Sequence, residues 1–268
     1  MGVSGQLVQH DFQALERNVV DEDLPMVRRT VRRAVRDLRP WQCEYRVRAP
    51  DGDVRWHMTS AAVQAEGDGS VLMHGYTLDV TDRKRAAQEI ERLAFYDALT
   101  QLPNRRLLLD RLHRLVLSSQ RTHQHGALLF IDLDNFKDLN DTLGHDMGDQ
   151  LLTQVAQRLV CSVRECDTVA RFGGDEFVIL LEGLDTDTDH AVRQAEAVAC
   201  KLLLALNTPF ELAGQQHYST PSIGLTLFGQ ERQSVDELLK RADLAMYEAK
   251  AAGRNTHRFF DPGMQQAL

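Results

Sequence analysis

The chain is short of cysteine, has no long apolar run and carries no surplus of positive charge. Each shortage removes a class of function. Its cysteines are Cys43, Cys161, Cys166 and Cys200, and no two form a Cys-x-x-Cys pair. With no sign of secretion they read as reduced thiols, so the expected location is the cytoplasm. No apolar stretch approaches the roughly 18 residues that span a bilayer. The opening "MGVSGQLVQHDFQ" lacks the basic start and apolar core of a secretory leader. Position 6 is Gln, not the Ser or Thr of a myristoylation signal. The formal net charge is −8 and no basic stripe is visible, which argues against a nucleic-acid polymer as partner. A small phosphate ligand stays open, because a few placed cations and a metal suffice for it.

What is present is ordinary in bulk and informative in detail. A length of 268 residues predicts two domains, and 43% hydrophobic with 26% charged residues is a usual globular balance. Residues 23–38, "DLPMVRRTVRRAVRDL", predict a helix with Met26, Val27, Val31, Val35 and Leu38 on one side. Its arginines read as a solvated face, since acids abound nearby. Residues 43–63 alternate polar and apolar around Asp51-Gly52, a hairpin signal, and "EGDGS" leads into another strand.

"DEDLP", "EYRVRAPDGDVRW" and "HGYTLDVTDRKRAAQEIERL" together resemble the C-terminal part of a PAS sensory domain, including its Asp-x-Thr ending at Asp79 to Thr81. The resemblance covers residues 1–81 and lacks the first strands of a complete PAS. Residues 82–97 predict a helix with Ala86, Ile90, Leu93 and Ala94 on one stripe. It is either a two-helix seam joining modules and subunits or a helix packed on its own domain.

Beyond Pro103 the pattern alternates α and β. Helices are expected after Pro103, over 148–165, over about 188–206, and after Ser234, whose Glu237 would complete a capping box. "GALLFIDLDNF" is a buried-strand run, and Pro221 implies an edge or a bulge. A mostly antiparallel sheet covered by helices follows.

Asp132 and Asp134 close that buried run, and residues two apart on a strand share a face. Burying acids beside Phe130 and Ile131 is costly unless positive charge meets them. Asp175 and Glu176 sit on a hairpin in "RFGGDEFVIL", where Gly173 and Gly174 allow a ligand close to the backbone. Hard oxygens from two strands suit Mg²⁺.

Five ordered stretches, "DALTQLPNR", "DLDNFKDLNDTLGHDMGD", "RFGGDEF", "SIG" and "ADLAMYEAKAAGRN", resemble the GGDEF domain, the diguanylate cyclase module. The resemblance implies an α+β, nucleotidyl-cyclase-like (ferredoxin-related) fold that condenses two GTP into cyclic di-GMP. By the same resemblance Asp132 and Asp175 match metal-binding acids, with the Leu133 carbonyl as a further ligand. Glu176 matches an acid that binds metal or helps deprotonate the 3′-hydroxyl. Lys137 and the amides of Asn135, Phe136 and Lys137 match phosphate contacts, and Asn135 stands where many relatives carry an aromatic. Lys250 and Arg254, four apart and so expected on one helical turn, match terminal-phosphate contacts. Asn140 and Asp149 match the guanine-reading pair, while Phe136, Leu139 and His145 read as packing residues. Arg164 and Asp167 match the product-binding Arg-x-x-Asp, expected on one side of a helix end.

The domain expectation is a partial PAS over 1–81, a helical linker over 82–97, a GGDEF domain over 98–262 and a tail over 263–268. The function expected is a Mg²⁺-dependent diguanylate cyclase, with Mn²⁺ as the alternative ion. It would act as a homodimer, be regulated through the PAS-like region and be inhibited by its product. The alternative is a catalytically silent module binding GTP or cyclic di-GMP within a larger, EAL-containing signalling protein.

Overall fold

The computed structural model describes residues 16–229 and 233–266. The opening segment that argues against a leader lies outside them. The chain divides into two compact units, Met1–Glu91 and Arg92–Leu268.

In the first unit, α1 (Leu24–Asp37) covers one face of an antiparallel sheet ordered β1 (Trp41–Arg48), β2 (Val54–Ala65), β3 (Val71–Asp79). Pro25 sits in the first turn of α1, where a missing N–H costs nothing. Val27, Val31 and Ala34 are buried on one stripe, and the arginines face solvent. Trp41, Cys43, Tyr45 and Val47 alternate into the core. The buried Tyr45 hydroxyl is satisfied at 2.7 Å by Thr59.

The Asp-x-Thr stretch starts the next helix. Asp79 accepts from the Thr81 amide at 2.9 Å, and Thr81 Oγ1 accepts from the Trp56 amide at 2.9 Å. This helix, α2 (Thr81–Phe95), contains the division between the units. Ile90 and Leu93 are 68% and 58% exposed, so the apolar stripe is not packed on its own domain.

The second unit is a five-stranded sheet ordered β10 (Thr256–Phe259), β9 (Pro221–Phe228), β4 (His125–Leu133), β6 (Glu176–Leu184), β5 (Thr168–Gly173). The β9–β10 pair is parallel and the others are antiparallel. One face carries α5 (His145–Ser162) and α6 (Thr188–Leu206), packed on Leu129 and Ile131. The other carries α3 (Arg105–Thr122) and α7 (Val235–Ala251), packed on Leu128 and Phe130. A short α4 (Phe136–Leu143) follows β4, and β7 (Phe210–Leu212) with β8 (Gln215–His217) forms a separate hairpin. No helix among the described residues is long and apolar enough to cross a membrane.

Several local expectations are corrected. The helix expected over 148–165 starts at His145 and ends at Ser162. Pro221 is at neither an edge nor a bulge: it is the first residue of β9, which lies between β4 and β10 and needs no donor there. Ser234 accepts from the Glu237 amide at 3.2 Å, but the Glu237 carboxylate binds Arg241 at 2.5 Å, so the capping box is half built. His145 opens α5 and is exposed, whereas Leu139 is buried and Phe136 packs against the core.

Candidate active site

β4 is buried along its whole length, and Asp132 and Asp134 are only 8% and 7% exposed. Both point to the α3/α7 face, yet their surroundings differ. Asp134 accepts from Thr220 Oγ1 at 2.7 Å, Ser222 Oγ at 2.7 Å and the Asn255 amide at 3.1 Å. It ties the starts of β9 and β10 to the end of β4, and its oxygens are occupied. Asp132 meets the Lys250 ammonium at 2.8 Å instead.

The register puts Asp132 directly opposite Glu176 on β6, so the two carboxylates share a face. Asp175 follows Gly174, which turns the hairpin with φ of +49°. The Asp134 amide bonds to the Thr220 carbonyl on the β9 side. By the alternation of an antiparallel ladder, the Leu133 carbonyl then turns the other way, toward the hairpin that carries Asp175.

The electrostatics follow from this crowding. Burial pushes the Asp132 carboxyl up, Lys250 opposes the rise, and Asp175 and Asp134 add to it. Burial also pushes Glu176 up, helped by the charges of Asp132, Asp243 and Asp175. The edge is short of positive charge. Among the described residues no three acidic, histidine or cysteine side chains converge as a ready-made metal cage. The donors are nevertheless all hard oxygens beside an unmet negative charge, which fits a hard divalent cation.

The neighbouring surface suits a nucleotide. Asn135 has φ of +58°, the left-handed backbone that Asn tolerates better than an aromatic, and it precedes α4 without a side-chain capping bond. The first amides of α4 have no carbonyl a turn earlier to bond, and Lys137 is exposed beside them. Asn140 packs against α5 so closely that a Cβ on Gly148 would come within 2.0 Å of its Oδ1. That Oδ1 is buried without a hydrogen-bond partner, a cost that a ligand donor would remove. Asp149 is next in sequence and exposed. Gly173 and Gly174 are exposed, and an added Cβ on either would meet nothing within 4 Å. Among the described residues nothing fills that space, and only the φ of +49° at Gly174 favours glycine.

Two sequence expectations fail on helix ends. α7 stops at Ala251, and Arg254 lies beyond it with φ of +64°, so Lys250 and Arg254 do not share a helical turn. Likewise Arg164 and Asp167 lie in the turn after α5, not on its end. Asp167 spends its carboxylate on the amides of Arg164 (2.9 Å) and Glu182 (3.2 Å). A cleft of about 460 Å³ beside them is lined in part by Tyr96, Arg111, Arg164 and Asp167.

Sequence reasoning missed two features. Asp243 on α7 bears on Glu176; it lies seven residues before Lys250, about two turns along the same face, a spacing visible in "ADLAMYEAK". The second feature is a bracket around the hairpin. Arg171 donates to Asp97 (3.1 and 3.3 Å) and, through Nε and a terminal nitrogen, to the Gly174 carbonyl (3.0 and 2.8 Å). Burial would raise the Asp97 carboxyl, but hydrogen bonds from Thr100 and Arg171 hold it below the usual range. An acid before a "LT" turn and an arginine before Gly-Gly were the available signals.

Comparison with known proteins gives the family. A family model described as "Diguanylate cyclase, GGDEF domain" matches residues 94–256, and one described as "PAS fold" matches residues 1–77. The bifunctional diguanylate cyclase/cyclic di-GMP phosphodiesterase MucR of Pseudomonas aeruginosa is 42% identical over 184 residues, 69% of this chain and 26% of MucR. Diguanylate cyclase TpbB of the same species is 39% identical, over 62% of this chain and 37% of TpbB. The chain thus spans well under half the length of these curated relatives. The solved GGDEF domain of TpbB superposes with a TM-score of 0.61 at 36% identity, over 65% of this chain and 98% of that one. The coiled coil and GGDEF domain of DgcB from Caulobacter crescentus, solved with cyclic di-GMP, gives 0.58 at 26% identity, over 68% and 92%. With its signature acids on the hairpin beside β4, and a family match over most of its length, the chain belongs to the GGDEF family.

Proposed function

We propose that this chain is a diguanylate cyclase. The observation that carries the reading is the register of Asp132 against Glu176, beside Asp175, at the end of a fully buried strand with a deficit of positive charge. Each of two GTP molecules would supply its 3′-hydroxyl to the α-phosphorus of the other. Two phosphodiester bonds form, two bonds to pyrophosphate break, and two pyrophosphates leave.

Asp132, Asp175 and the Leu133 carbonyl would hold Mg²⁺, or Mn²⁺ in its place. The bound ion supplies charge neutralisation along the triphosphate. Glu176, its affinity for protons raised by burial and neighbouring acids, is suited to take the 3′-hydroxyl proton or to join the metal ligands. Lys137 and the α4 amides would receive phosphate, with Lys250 and Arg254 at its terminal end. Gly173 and Gly174 leave room for close backbone approach. Asn140 Oδ1 and the Asp149 carboxylate would accept from guanine, and adenine would leave the acid unpaired.

One chain holds one such site and the product joins two nucleotides, so a homodimer with facing half-sites follows. The exposed Ile90 and Leu93 of α2 supply an apolar stripe for pairing. We assign residues 1–81 to a PAS region that regulates the cyclase, 82–97 to the linker, 98–262 to the cyclase and 263–268 to a tail. Arg164 and Asp167 would bind product and inhibit, in the cytoplasm where the substrate is made.

A second reading has its own support. The chain also resembles proteins named cyclic di-GMP phosphodiesterases, NbdA at 38% and PdeR at 32% identity. In it the domain is a silent GTP- or cyclic di-GMP-binding module. Incubation with GTP and Mg²⁺ followed by chromatography separates the two. Cyclic di-GMP with pyrophosphate is expected; bound but unchanged GTP would favour the silent module, and no GTP binding would refute the cyclase.

A further inference from the structure

The Lys250 ammonium lies 2.8 Å from Asp132 Oδ1, with the two side chains 30% and 12% exposed. The contact is mostly shielded from water, where a charge pair is strongest. Its position is built into the fold. α7 crosses β9 so closely that a Cβ on Gly224 would come within 2.0 Å of the Ala242 carbonyl and 2.2 Å of the Met246 amide. Lys250, in the last turn of the same helix, is therefore delivered to the end of β4. Three acids surround that place: Asp175 bears on both Asp132 and Glu176, and Asp243 bears on Glu176. Lys250 opposes the rise at both.

We propose that Lys250 is a resident counter-ion, seated on Asp132 until a metal and a nucleotide arrive together, so that the two bind cooperatively. The inference rests on the metal-site reading above and adds a second state for a residue that reading gives to phosphate. An ammonium on an oxygen that a divalent ion must use cannot remain beside that ion. Once displaced, its three donors need another acceptor, and a triphosphate provides one. Nucleotide that draws Lys250 away frees Asp132 for metal, and metal that expels Lys250 strengthens nucleotide binding. The two effects are equal by thermodynamic linkage.

The test uses the whole chain, Mn²⁺ as the metal probe and a non-hydrolysable GTP analogue. Free Mn²⁺ is read by electron paramagnetic resonance. Wild type should bind Mn²⁺ weakly alone and about tenfold more tightly with the analogue. Lys250→Met should bind Mn²⁺ alone about tenfold more tightly than wild type, and the analogue should then add little. Lys250→Arg keeps the charge and should match wild type for Mn²⁺ alone. Circular dichroism checks the fold, and Lys250→Gln replaces the Met variant should that one not fold. If wild type binds Mn²⁺ with the analogue but Lys250→Met binds Mn²⁺ alone no better than wild type, the counter-ion inference is overturned while the metal site stands. If wild type binds Mn²⁺ under neither condition, both are overturned.

Discussion

The three-stranded and five-stranded sheets bury strands in opposite ways. β4 of the five-stranded sheet is buried at every position, between α5/α6 on one side and α3/α7 on the other. β3 of the three-stranded sheet is exposed almost throughout, with Leu72, Tyr76 and Leu78 open to solvent. The difference decides how a polar residue should be interpreted. On β3, Thr77 or Asp79 costs little in water. On β4, every carboxylate must be met by something. Asp134 is met three times by its own chain, whereas Asp132 is met by one ammonium and opposed by neighbouring acids. The incompletely satisfied acid is the one that the proposed metal site uses.

The largest break in that comparison comes from the acids themselves. Asp132→Ala or Asp175→Ala should lower cyclic di-GMP synthesis on the order of a thousandfold, with the fold retained by circular dichroism. Near-normal turnover in either variant would remove them from the metal site. Next in size is base selection. Asp149→Ser should reduce preference for GTP over ATP about a hundredfold in competition assays, because a neutral hydroxyl no longer penalises adenine. An unchanged preference would clear Asp149 of that role.

The bracket on the hairpin sharpens the contrast. Asp97→Ala strands the Arg171 guanidinium, and should cost about 2 kcal/mol in denaturant unfolding along with a lower kcat at nearly constant KM. Arg171→Lys should rescue little, since an ammonium cannot serve Asp97 and Gly174 at once. A full rescue would show that charge alone suffices.

A smaller effect has the opposite sign. Glu176 is held above the usual carboxylate range, so the folded state keeps its proton to higher pH than the unfolded chain. That contribution stabilises at acidic pH and is lost as pH rises through the raised value. Glu176→Gln should therefore stabilise the metal-free protein at neutral pH by about 1 kcal/mol and flatten this part of the pH profile. A thermal melt series from acidic to neutral pH would reveal it, and a destabilised variant would contradict the crowding of acids. Tyr76→Ser on the open β3 should stay within about 0.5 kcal/mol of wild type.

Much of this was legible in the residues. Alternation in "CEYRVR", the apolar run "ALLFI", the Asp-Gly turn and the Ser234 cap are local signals, and local hydrogen bonds and periodicity produced the elements they predict. The five motifs identified the family without coordinates. Helix ends were less legible. Nothing in "CSVRECD" marks where the chain leaves the helix, whereas "AKAAGRN" does hold a stop signal, Gly253, which follows the Ala252 cap with φ of +110°. Pro221 misled because its neighbours on both sides are strands far away in sequence.

By itself, then, the sequence determined that there are two folded units and that acids stand in "DLD" and "GGDEF", the motif that marks the family. Only the tertiary structure decided that Asp134 is an internal brace and Asp132 is not, that Lys250 sits on Asp132, and that Arg171 links Asp97 to Gly174. These are contacts between residues up to 121 positions apart in the chain. Their partners are chosen by strand register and helix packing, which no local pattern encodes.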